Sequence, residues 1–192
     1  MSETRFTLRP VEWKPWLDPV DAETLTKEQL AAIEAAPSGT GASAWLLTLM
    51  HDLPSLSERS PLCNSTMQAP QGLPRAEREL AAVIASMVNG CVYCASVHSR
   101  RFGDVTRQLQ VMEALFAEGL GAELEPRQRA IVDFAEKLSR SPQEMTASDL
   151  APLRKAGLDD LQILDLIHAT AMFANANRLM QTLGEAVPPA EE

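Results

Sequence analysis

The sequence predicts an all-α fold, and three observations carry that prediction. Apolar residues recur at intervals of three and four through most of the 192 residues. No segment reads as a competing strand pattern. Gly, Pro and Asn clusters separate the periodic segments, where helices would have to stop. The length suits one domain with its own core, needing no disulfide or metal staple.

Taken in order, residues 1–20 hold Pro10, Pro15 and Pro19 with Trp13 and Trp16. The prolines forbid a regular helix and the tryptophans offer apolar anchors, so this stretch reads as an ordered N-terminal arm on a single helical domain over 21–186. Helices are expected over 26–36, from Leu30 and Ile33, and over 42–52, from Trp45, Leu46, Leu49 and Met50, with the PSGTG breaker between them. Pro54 and Pro61 punctuate the segment that runs to Pro70, which reads as Pro-rich loop with Cys63 alone in it.

PRAERELAAVIASMVNG then has Pro74 at a first helical position and Asn89-Gly90 as a stop. Its stripe is Leu80, Val83, Ile84, Met87 and Val88, and Glu79 falls about 100° from the stripe's centre, at a border where partial burial is expected. A further helix should run over 91–102 to a Gly103-Asp104 turn, followed by helices over 105–118, 126–140, 147–155 and 159–183. The last is apolar nearly all round (Leu161, Ile163, Leu164, Leu166, Ile167, Met172, Phe173, Leu179), which predicts a central or interface-buried helix and, with it, a homo-oligomer. The tail, 187–192, is expected to be disordered.

Seventeen Lys and Arg stand against 26 Asp and Glu, giving a net charge of -9, and no basic run exceeds Arg100-Arg101. Neither nucleic acid nor an anionic membrane is an expected partner. The polar start MSETRFTLRP and the lack of an apolar run of about 18 residues predict a soluble, cytoplasmic protein. Three cysteines do not form the even framework of a secreted scaffold. In a reducing compartment, C-x-x-C reads as redox or metal chemistry.

The chemistry concentrates in GCVYCASVHSR, residues 90–100. On one helix, Cys91, Cys94 and His98 fall within roughly a 60° arc. The Asn89-Gly90 stop puts both cysteines in a first helical turn, where free N–H groups and the helix dipole favour a thiolate. Such a pair closes a disulfide with little backbone motion. Peroxide is a natural electrophile for it, giving a sulfenic acid that condenses with the second thiol and is then reduced by an outside dithiol. His98 is placed to take the thiol proton, and Glu79 is the carboxylate best placed to orient the imidazole.

The pattern E-x11-C-x-x-C-x-x-x-H, formed by Glu79, Cys91, Cys94 and His98 in ERELAAVIASMVNGCVYCASVHSRRF, resembles the core motif of the AhpD-like alkylhydroperoxidases in the carboxymuconolactone decarboxylase superfamily. The W-K-P-W-L arm and the closing FANANRL are similar to the longer, peroxidase-related branch. The resemblance implies an AhpD-like helical bundle assembled as a dimer, trimer or hexamer. It implies that Cys94 attacks a hydroperoxide and Cys91 resolves it, that Glu79 and His98 relay the proton, that no cofactor or metal takes part, and that a lipoyl-type or thioredoxin-like dithiol recycles the disulfide. Val92 and Tyr93 between the cysteines depart from the polar residues of the best-characterised members and imply a more apolar or occluded entrance.

Other readings stand beside this one. The same pair would serve a non-catalytic redox sensor or a dithiol-disulfide exchange protein. Two thiolates and an imidazole are legitimate zinc ligands, though no fourth ligand is evident. The cysteines also suit small buried hydrophobes. A lactone decarboxylase would leave the C-x-x-C without a purpose. His51 reads as a cation near a helix C-terminus, His168 as a core or interface histidine, Cys63 as a bystander, and Asn175, Asn177 and Arg178 as structural hydrogen-bonding residues. Trp13, Trp16 and Trp45 read as anchors.

Overall fold

A computed structural model describes residues 6–37 and 41–187. After a short strand β1 (Glu12–Pro15) come helices α1 (Lys27–Glu34), α2 (Ala44–Leu49), α3 (Leu53–Gln68), α4 (Arg75–Val88), α5 (Val92–Thr106), α6 (Leu109–Glu118), α7 (Pro126–Arg140), α8 (Leu150–Lys155) and α9 (Asp160–Leu183), then a strand β2 (Gly184–Val187). The fold is all-α, as the periodicity predicts, apart from this one strand pair.

Helix α4 is the centre. Its stretch from Leu80 to Ala85 is wholly buried, and it packs against α5, α7 and α9. Pro74 ends the preceding loop, Asn89 closes the helix, and Gly90, at φ 72°, turns the chain into α5. Helix α9 starts from a capping box, in which the Asp159 side chain accepts from Gln162 N at 2.8 Å and Gln162 reaches back to Asp159. It packs on α4, α7 and α3, while Leu161 and Leu164 remain half exposed, so it is central without being enclosed.

Three features correct the sequence reading. The Pro-rich segment is the 16-residue helix α3. Asp52 caps it at Ser55 N, Pro54 falls in the first turn, where its missing N–H has no helical partner to lose, and the interior Pro61 lies on the exposed face, so the carbonyl it frees meets water. Its inner face buries Leu56, Cys63 and Met67.

The second correction is α5, which continues through Gly103-Asp104 and ends at Arg107 in the left-handed region (φ 61°). Gly103 serves packing here: a Cβ would come 2.8 Å from Leu109 Cδ1. Third, residues 12–15 and 184–187 pair as antiparallel strands, with Trp13 opposite Ala186. Val187 therefore belongs to β2, and the rest of the expected tail, 188–192, lies outside the described residues, as do 1–5 and 38–40 of the PSGTG breaker.

Arg78, which the sequence did not single out, is fully buried on α4. Its guanidinium donates to the carbonyls of Leu73 (2.7 Å), Thr66 (2.8 Å) and Gln71 (2.6 Å) and pairs with Asp165 on α9 (2.8 Å). Asp165 also accepts from Leu73 N at 2.8 Å. A buried charge is tolerable because every side of it is answered, and this node fixes the α3–α4 loop against α9.

Candidate active site

Helix α4 presents Glu79 to the interior with no exposed surface, deeper than its stripe position predicts. Its two oxygens face two cations or donors: Oε2 lies 2.5 Å from His98 Nδ1, and Oε1 accepts from Arg75 Nε at 2.6 Å. Burial alone would raise its pKa, but His98, Arg75 and Arg101 outweigh burial and hold it below the ordinary carboxylate value. Glu79 is thus ionised and acceptor-only, so His98 Nδ1 carries the proton of their hydrogen bond.

His98 sits on α5 with its ring edge-on to Phe173 at 4.2 Å. Burial lowers its pKa below 6.5, more than the Glu79 charge raises it. At neutral pH it is a neutral imidazole whose tautomer Glu79 sets, which leaves Nε2 as a free base.

Cys91 is the N-cap of α5, tied back by its own N–H to Ser86 O at 2.8 Å. Cys94 follows one turn on, and His98 one turn after that. Both thiols are free and nearly inaccessible, at 2 and 5% exposure. The adjacent Cys94 thiol, assisted by the Cys94 N–H and the Asn177 side chain, lowers the Cys91 pKa against the opposing effect of burial. Interaction with Cys91, together with burial, raises that of Cys94 well above the ordinary thiol value. Of the two, Cys91 at the helix N-terminus is therefore the more readily ionised.

The two thiols open to different sides. Cys94 and His98 line a cavity of about 440 Å³ between α2, α3, α5 and α9. Cys91 lines a smaller cleft of about 260 Å³ under the strand pair, with Trp13, Trp16 and Gly184. Tyr93 borders both, and burial raises its pKa, so it is a neutral phenol between the two entrances. Trp13 is held there by Nε1 donating to Met180 O at 2.9 Å and by edge contact with Trp45. Of the expected anchors, Trp16 is instead 59% exposed.

Structure thus brings Glu79, Cys91, Cys94 and His98 together, and it adds residues that sequence reasoning did not assign. Asn177 is fully buried beneath the thiols and hydrogen-bonds Ser86 Oγ at 3.0 Å. Its sequence reading, a hydrogen-bonding residue beside Asn175 and Arg178 in an apolar helix, holds, but its place beneath the thiols is set by the packing of α9 on α4. Cys63 lines the Cys94 cavity from α3, and burial keeps its thiol protonated. His168 is exposed on the single chain, in a groove between α3 and α9, and is no core histidine. His51 is bonded through Nε2 to Asp18 O, fixing the arm. Among the described residues no group of three or more His, Cys, Asp or Glu is arranged to hold a metal ion, and no helix is long and apolar enough to cross a membrane.

The Carboxymuconolactone decarboxylase family matches residues 59–105, which span the inner part of α3 through most of α5. A peroxidase-related protein with an alkylhydroperoxidase AhpD core, from Ralstonia eutropha JMP134, is 26% identical with a TM-score of 0.79, covering 88% of this chain and 90% of its own. A second peroxidase-related protein, from Silicibacter sp. TM1040, is 28% identical with a TM-score of 0.77, covering 88 and 89%. The debrominase Bmp8 shares the fold at 18% identity and a TM-score of 0.69, covering 88 and 90%. The family match covers the thiol-bearing segment, and the two peroxidase-related neighbours share the AhpD-like fold over most of the chain.

Proposed function

We propose that the protein is a cofactor-free thiol peroxidase that reduces hydroperoxides through a Cys91-Cys94 dithiol-disulfide cycle. One observation carries the reading: Cys94 shares its cavity with a neutral His98 whose other nitrogen is held by a buried, ionised Glu79.

Access and the base select Cys94 as the attacking sulfur, although Cys91 is the more readily ionised of the two. His98 Nε2 accepts the Cys94 proton, and the imidazolium that forms is stabilised by Glu79. The Cys94 thiolate attacks the outer oxygen of ROOH. The O–O bond breaks, an S–O bond forms, and RO⁻ takes a proton from His98 to leave as ROH. Cys91, as thiolate, then attacks the Cys94 sulfenic acid and expels hydroxide, which is protonated to water, closing the disulfide. A dithiol reductant, lipoyl-type or thioredoxin-like, returns two electrons and two protons by thiol-disulfide exchange. A reducing cytoplasm would supply such a donor, and we place the protein there as a homo-oligomer.

Turnover of cumene hydroperoxide with dithiothreitol as recycling dithiol tests the assignment. Cys94→Ser should abolish it, and Cys91→Ser treated with hydroperoxide in the absence of dithiothreitol should stop after one sulfenic acid per chain. Undiminished turnover in Cys94→Ser would remove Cys94 from the reaction. The sensor reading draws on the near-complete burial of both thiols. It predicts one slow stoichiometric oxidation and no turnover.

A further inference from the structure

The cavity in front of Cys94 is far larger than hydrogen peroxide needs. Its volume of about 440 Å³ lies in the range of sites for drug-sized ligands, against about 30 Å³ for a water-sized molecule. Much of its wall is apolar, with Trp45, Leu46, Met67, Val97, Phe173 and Met180 among its lining residues.

Its charges are one-sided. Arg59, Arg75, Arg100 and Arg101 line it, against a single acid, Asp104. That balance runs counter to a chain of net charge -9. Two of the four make direct polar contacts: Arg75 pairs with Glu79, and Arg100 Nε donates to Ser96 O at 3.3 Å. Arg59 and Arg101 form no ion pair with a carboxylate among the described residues. Arg59 lies over the Trp45 ring at 5.8 Å, and its Nε is buried without a hydrogen-bond partner. Stacking of this kind holds a guanidinium in place while leaving its N–H edge for a ligand. The guanidinium lines the cavity with no carboxylate partner among the described residues, so its terminal N–H groups are poised for an anion that enters there.

Building on the peroxidase reading, we propose that the substrate is an amphipathic organic hydroperoxide carrying a carboxylate, with the carboxylate bound by Arg59 and Arg101 and the O–O group held at Cys94. The apolar wall takes the hydrocarbon between the two ends. The chemistry at sulfur is unchanged by this assignment; the arginines position the substrate and set its class.

A matched pair of substrates tests it: cumene hydroperoxide bearing a para-carboxylate, and the methyl ester of that compound, which lacks the charge at the remote end and adds one methyl group. Each is turned over by the full-length protein with dithiothreitol. The expected kcat/KM is about 10- to 100-fold higher for the carboxylate, as charge-assisted hydrogen bonds provide. In Arg59→Gln/Arg101→Gln the readout is the ratio between the two substrates, which should fall to about one whatever the absolute rates. Thermal melting checks the variant's fold, and each single Gln variant should lower the ratio on its own if the double variant does not fold. Equal turnover of acid and ester by the parent, or a preference that survives loss of both arginines, overturns this inference and leaves the peroxidase reading standing. No turnover of either compound or of hydrogen peroxide overturns both.

Discussion

Replacing Glu79 by Gln removes a charge and almost no volume, so it isolates what the carboxylate does. In the parent, Glu79 is wholly buried and meets His98 Nδ1–H on one oxygen and Arg75 on the other. A glutamine can satisfy one of these donors with its oxygen and turns its own NH2 towards the second. The loss is one charge-assisted hydrogen bond, about 1.5–3 kcal/mol. If it is felt when His98 becomes imidazolium, it corresponds to a fall in kcat/KM of about 10- to 150-fold. The sign of the pH effect follows too. The Glu79 charge raises the His98 pKa against burial, so its removal should move the acidic limb of the pH-rate profile to lower pH while the rate drops. The assay is hydroperoxide turnover with a recycling dithiol between pH 5 and 9, on protein shown to be folded by circular dichroism. A folded Glu79→Gln variant within about threefold of the parent, with an unmoved limb, would refute the orienting role.

Three further outcomes are expected. Arg78→Met strands the carbonyls of Leu73, Thr66 and Gln71 and leaves Asp165 unpaired, so denaturant unfolding should show a loss of about 3–5 kcal/mol, and a loss under about 1 kcal/mol contradicts the node. Glu79 and His98 both have depressed folded-state pKa values, so each binds more protons unfolded than folded. Their contribution is present in full above pH 6.5 and is lost as pH falls through 6.5 and then 4.5 towards the folded values. The melting temperature should therefore drop over that window, less so in Glu79→Gln/His98→Asn, and a drop of equal size in that variant counts against it. Leu62, Leu161 and Leu164 are each about half exposed on α3 and α9, so sedimentation equilibrium should return a multiple of 21.0 kDa, and a monomer at micromolar concentration would contradict self-association.

What the sequence discloses is what local chain physics determines. Helices α4, α7 and α9 are legible because their stripes, caps and stops lie within a few residues of each other, and the Glu79, Cys91, Cys94 and His98 grouping is legible because it spans only the α4–α5 turn. The missed features depend on context. Pro54 and Pro61 read as breakers, and only their placement, in a first turn and on a wet face, lets α3 form. The β1–β2 pair joins four-residue segments from opposite ends of the described chain, with no strand-length alternation to announce it. Gly103 reads as a turn because its tight contact with Leu109 belongs to the tertiary fold.

The candidate site follows the same division. The candidate reacting residues are written in one motif, but the cavity in front of Cys94 draws Trp45 from α2, Arg59 and Cys63 from α3, and Phe173 from α9. Cys63 looked like a bystander in sequence because nothing nearby in the chain tells that α3 turns it towards Cys94. The separation of Cys94 and Cys91 onto different openings likewise depends on the strand pair that roofs Cys91.

The central claim is that Cys91 and Cys94 form a redox pair driven by peroxide. The most direct test is the intact mass of the fully reduced protein after a brief substoichiometric pulse of hydroperoxide, with peptide mapping of the modified residues. The account predicts a rapid loss of two hydrogens mapped to a Cys91-Cys94 disulfide, with Cys63 still a free thiol. Thiols that stay reduced through the pulse, or oxidation confined to Cys63, would contradict it.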